Sequence, residues 1–81
     1  MLEGIKAGDR VINSLGEEAT VVDVKEFNGR RFRLYLDSPI TGWIDNFPNK
    51  SWSYERGGKF VRDPNDRKAS DLVKVIRNGS N

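Results

Sequence analysis

Eighty-one residues, 36% of them hydrophobic and 32% charged, suffice for one small domain with an economical core. The chain has no cysteine and no histidine, which excludes disulfide staples, thiolate metal sites and imidazole general-base chemistry. Net charge is only +2 but unevenly placed: residues 1–26 carry three basic and six acidic groups, residues 27–62 seven and three, and residues 63–81 four and three. The middle of the chain is thus expected to build a basic face suited to an anion such as nucleic acid, or else an ordinary solvated surface of mixed sign. No signal-peptide pattern and no apolar run of membrane-spanning length is present, so the expectation is a soluble, cytoplasmic protein with no membrane partner.

Residues 1–7 read as a lead-in whose Leu2 and Ile5 pack on the edge of the fold. A turn at Gly8-Asp9 precedes a short strand, Arg10 to Asn13, and a polar loop through Gly16. Ala19 to Asp37 then reads as one long β-hairpin, because Asn28-Gly29 between two apolar-alternating runs is a strong turn signal. A three-residue loop, Phe27-Asn28-Gly29, pairs Glu26 with Arg30, Val24 with Phe32, Val22 with Leu34 and Thr20 with Leu36. This register makes one face nearly all apolar and turns Lys25, Arg31, Arg33 and Tyr35 outward. Pro39 and Gly42 break the pattern. Trp43-Ile44-Asp45 forms a short strand that ends in the turn Asn46 to Lys50. A second hairpin runs from Ser51 to Arg62 with Arg56-Gly57-Gly58 at its tip, and its alternation puts Trp52 and Tyr54 on one face. After a turn-rich loop, Ala69 to Leu72 makes one helical turn with Leu72 buried, Val73 to Ile76 closes as the last strand, and 77–81 is a flexible tail.

Five to six short antiparallel strands at this spacing, with one helical turn before the last, define a small all-β barrel or sandwich. The motif Lys6-x-Gly8-Asp9-Arg10-Val11, followed by Gly16-x-x-Ala19-Thr20-Val21-Val22, resembles the first hairpin of Src-homology-3-like (SH3-like) barrels, including KOW and Tudor-type domains, with Ala19 where KOW motifs carry glycine. Ala69 to Ile76 is similar to the helical turn and last strand that end such barrels. Over most of the chain, Trp52-x-Tyr54-x-x-Gly57-Gly58-x-Phe60 with Ser70-Asp71-Leu72-Val73 resembles small uncharacterised bacteriophage and prophage proteins, which implies a viral origin and a host cytoplasm. Arg33 to Asp37 with Trp43-Ile44-Asp45 resembles malignant-brain-tumour and Tudor readers of methylated lysine. That resemblance implies an aromatic cage of Trp43, Asp45, Phe47, Trp52 and Tyr54.

The nucleic-acid candidates are Lys25, Arg31, Arg33, Tyr35, Lys50, Trp52, Arg56 and Lys59, with Arg62 nearby. Basic groups draw phosphate and exposed aromatics stack on bases. The plainer alternatives are a surface charged for solubility and edge protection, and tryptophans that fill the core. Trp52 and Tyr54 are the aromatic pair expected at the surface. Gly57-Gly58 reads as a hairpin turn, since no helix follows that would make it a phosphate loop. Six serines without a histidine, and aspartates at no productive spacing, argue against an enzyme. The expected function is a non-enzymatic binding module for nucleic acid or a nucleotide, without cofactor or metal. The alternative is a protein-interaction factor that docks on a host protein to inhibit or redirect it.

Overall fold

Alternation of apolar and polar residues at period two produces five strands in the computed structural model, which describes residues 1–38, 40, 51–61 and 71–79. They are β1 (Arg10–Asn13), β2 (Glu18–Phe27), β3 (Arg31–Leu36), β4 (Ser51–Glu55) and β5 (Leu72–Ile76). All pairings are antiparallel and the sheet order is β4-β3-β2-β1-β5. Among the described residues the ladder is open, with β4 and β5 at its two ends. The return arm of the β4 hairpin nevertheless reaches β5: the Leu72 amide donates to the Gly58 carbonyl at 2.7 Å and the Phe60 amide to the Asp71 carboxylate at 2.9 Å. Gly58 is required there. Its φ is +95°, and a Cβ on it would collide with the Leu72 carbonyl oxygen and the Met1 methyl.

The central hairpin forms with a different register from the expected one. Its loop is Asn28-Gly29-Arg30, closed by the Arg30 amide on the Phe27 carbonyl, with Asn28 and Gly29 both at positive φ. Phe27 therefore belongs to β2 and pairs with Arg31, Lys25 pairs with Arg33, and Val24 with Leu34. Because the slip from the expected pairing is two residues, the faces near the tip are preserved. Further along β2 they are exchanged. The register shifts between Val21 and Asp23, a bulge that leaves Val22 54% exposed and turns Val21 and Ala19 into the core. The bulge also marks where β2 stops serving the β3–β4 half and starts serving the β1–β5 half.

The core gathers Leu2, Ile5, Val11, Ala19, Val21, Phe32, Leu34, Leu36, Ile40, Tyr54, Phe60 and Leu72. Each fully buried apolar side chain contributes roughly 1.5–3 kcal/mol, so Leu2 and Ile5 make the lead-in part of the fold. Tyr54 corrects an expectation: it is wholly buried, opposite Phe32 in register and edge-on to Phe60 at 5.7 Å. The expected strand at Trp43–Asp45 and residues 69–70 of the expected helical turn at 69–72 lie outside the described residues. Leu72 itself opens β5 and is buried. Among the described residues the second hairpin is present as far as Val61, held by the Glu55 amide on the Lys59 carbonyl, the Val61 amide on the Ser53 carbonyl and a bridge between Tyr54 and Phe60.

The start of the expected tail is also not free. Asp9, fully buried, accepts the backbone amides of Lys6 at 3.0 Å and Asn78 at 2.8 Å, and pairs with the Lys6 ammonium and the Arg77 guanidinium. Arg77 in turn donates to the Met1 and Glu3 carbonyls. One carboxylate thereby ties the N-terminal turn to the residues after β5. Burial works to raise its pKa, but the two amides and the Lys6 ammonium outweigh it and hold the carboxyl below its ordinary value.

Candidate anion-binding face

The β2–β3–β4 meander has one face in the core, carrying Phe32, Leu34 and Tyr54, and by strand alternation its other face points to solvent. Because β3 pairs on both sides, the outer residues form rows: Phe27–Arg31–Glu55, Lys25–Arg33–Ser53 and Asp23–Tyr35–Ser51. Lys25 and Arg33 are like charges directly opposite one another, an arrangement that disfavours the pairing. Each is drawn along its own strand instead. The Lys25 ammonium lies 5.7 Å from the Phe27 ring centroid and the Arg33 guanidinium 6.0 Å from that of Tyr35. Such contacts contribute about 0.5–1 kcal/mol at exposed sites, comparable to the repulsion they offset.

Beside these rows the surface sinks into an open concavity of about 400 Å³, lined by Phe27, Asn28, Arg30, Arg31, Arg33 and Ser53. Three arginines are among the residues that line it, and none of the described residues lining it is acidic. The nearest carboxylate by register is that of Glu55, opposite Arg31. The loop that presents Arg30 is fixed from behind: the Arg56 amide donates to the Arg30 carbonyl at 3.0 Å and the Leu2 amide to the Arg56 carbonyl at 2.9 Å. The hairpin tip is thus connected to the buried N-terminal Leu2 by two backbone hydrogen bonds.

Of the residues singled out from the sequence, Lys25 and Arg31 are exposed and Arg33 and Tyr35 are half-buried, all four in the outer rows. Arg56 and Lys59 are exposed on the second hairpin, where the Arg56 guanidinium turns to the Glu3 carboxylate at 3.5 Å. Trp52 is placed by its strand position opposite Leu34, outside the Arg33–Ser53 row. Lys50, Arg62, Trp43, Asp45 and Phe47 lie outside the described residues. The burial of Tyr54 removes it as a wall of an accessible aromatic cage. Phe27, Asn28, Arg30 and Ser53 went unselected in the sequence. The signal for Phe27 was its two-residue spacing from Lys25 on one strand, hidden when the loop is started one residue early.

Among the described residues no three acidic, histidine or cysteine side chains cluster to hold a metal ion, and no helix is long and apolar enough to cross a membrane. Compared with known proteins, the chain matches no family model, no curated protein and no solved structure.

Proposed function

We propose that this protein is a non-enzymatic binding module, an SH3-like barrel that contacts nucleic acid or a nucleotide through the outer face of β2, β3 and β4. The observation that carries this reading is the presence of Arg30, Arg31 and Arg33 with Phe27 in the lining of an open concavity that no described acidic residue lines. A cationic surface with an aromatic beside it supplies phosphate attraction and a stacking platform together. The barrel reading is supported by a long, bulged β2 shared between two halves of the sheet and by the hydrogen bonds from the β4 hairpin to β5. The test is a titration with a mixed-sequence oligonucleotide at low and physiological salt, following backbone amide signals. Localised, salt-sensitive shifts at Lys25, Phe27, Arg31 and Arg33 are expected. The double variant Arg31→Ala, Arg33→Ala should weaken binding by about a hundredfold, counting roughly 1.4 kcal/mol for each lost charge-assisted contact, while unfolding within about 1 kcal/mol of wild type. Absence of shifts at low salt refutes the reading.

A second reading, docking on a host protein, is favoured by β5. Among the described strands it lies at the sheet edge, and it exposes Val73 and Ile76, which suits addition of a partner strand. Binding of that kind persists at high salt, whereas phosphate contacts weaken steeply.

A further inference from the structure

We propose that the concavity takes an unpaired nucleotide of a single strand, its base against Phe27 and the neighbouring phosphates on Arg31 and Arg33. This rests on the nucleic-acid reading above and narrows it. A site for inorganic phosphate alone needs only the cations. Here a phenyl ring, 42% exposed, stands at the wall among them, with the Asn28 amide and the Ser53 hydroxyl as neutral hydrogen-bonding groups. That mixture of apolar face, neutral donors and acceptors, and cations matches the three parts of a nucleotide. The volume of about 400 Å³ lies at the small end of ligand-sized pockets, which run from about 300 to 1,000 Å³.

The sheet geometry separates a single strand from a duplex. A two-stranded ribbon fits a major groove about 12 Å wide, but β3 is paired on both sides along its length. Three strands about 4.8 Å apart already span roughly 10 Å between outer backbones before any side chain is added, so the face is too broad to enter the groove. An unstacked strand can instead lie across it. Arg31 and Arg33, two residues apart on β3, are separated by roughly 7 Å along the strand and so meet different phosphates. With Arg30 they account for about three contacts, which predicts a slope of about −2 for log affinity against log salt on single strands.

The experiment measures anisotropy of three labelled probes: a short single strand, the same strand with abasic sites, and the duplex of the same sequence. Wild type should bind the base-bearing strand about tenfold tighter than the abasic one, as expected for stacking of one base, and tighter than the duplex. Phe27→Ala should erase the preference over the abasic strand without weakening abasic binding, and Phe27→Trp should restore it. Arg31→Ala should weaken both single strands alike. Equal affinity for base-bearing and abasic strands, tighter binding of the duplex, or a Phe27→Ala variant that keeps the preference overturns the single-strand proposal and leaves the nucleic-acid reading standing. No salt-sensitive binding of any probe overturns both.

Discussion

Two clusters of cations sit in different parts of this molecule, and their surroundings differ. At one, Lys6 and Arg77 converge on Asp9, a buried carboxylate that also accepts two backbone amides. At the other, Arg30, Arg31 and Arg33 line an open concavity whose remaining described residues, Phe27, Asn28 and Ser53, are apolar or neutral. A cation cluster built around its own buried anion is a fastening. On the proposal above, one lining an open hollow with no acidic residue among its described lining receives an anion from outside. The sequence spacing of basic residues does not separate the two cases; the position of the nearest carboxylate does.

The sharpest way to break this comparison is to remove the internal anion. Asp9→Ala strands the Lys6 and Asn78 amides and leaves two cations beside a vacated site, and it should cost about 3 kcal/mol in a urea unfolding experiment. The variant that remains folded should bind oligonucleotide as wild type does. Loss of affinity with unchanged stability would mean the fastening and the binding surface have been exchanged.

Acid tests the same carboxylate without mutation. Its native pKa lies below its ordinary value, so the unfolded chain takes up the proton first as pH falls. Asp9 therefore contributes its full stabilisation above the unfolded carboxylate value of about 3.9, and that contribution is lost as pH falls through the native value. Equilibrium unfolding of wild type should weaken below about pH 4, and Asp9→Asn should weaken less over that range. Parallel curves for the two proteins would assign acid sensitivity to other groups.

How far the sequence discloses these two regions follows from the range of the interactions. The Asn28-Gly29 turn is local, and so is the alternation that turns Lys25, Arg31 and Arg33 away from the core. Both are legible in a few consecutive residues. The fastening is not, because Asp9 meets an amide 69 residues away and its neighbours in the chain give no hint of it. Tyr54 was placed on the same strand face as Trp52 by alternation, but only the pairing with β3, which sets Tyr54 against Phe32, decides that its side is the core. The concavity needed the correct loop residues. Starting the loop at Phe27 hides the ring and overlooks Arg30, although the cations on β3 are found all the same.

The bulge in β2 was invisible for a different reason, and it yields the smallest expected effect. Val21 and Val22 are equally β-branched and equally suited to a strand, so propensity does not choose between them, and unbroken alternation from Val24 puts Val22 inward. In the structure the extra residue leaves Val22 outside and Val21 1% exposed. Val22→Thr should therefore change stability by less than about 0.5 kcal/mol, while Val21→Thr, which places a hydroxyl in the core, should cost about 1–3 kcal/mol. A reversed order would restore the unbulged hairpin. It would also carry a consequence for binding: on an unbulged β2, the residues beyond the hairpin tip would exchange faces, and Val22 would leave the surface that continues from the Lys25–Arg33 row. A near-neutral Val22→Thr thus supports both the bend that divides β2 between its two halves and the outward aspect of the face beside the arginine concavity.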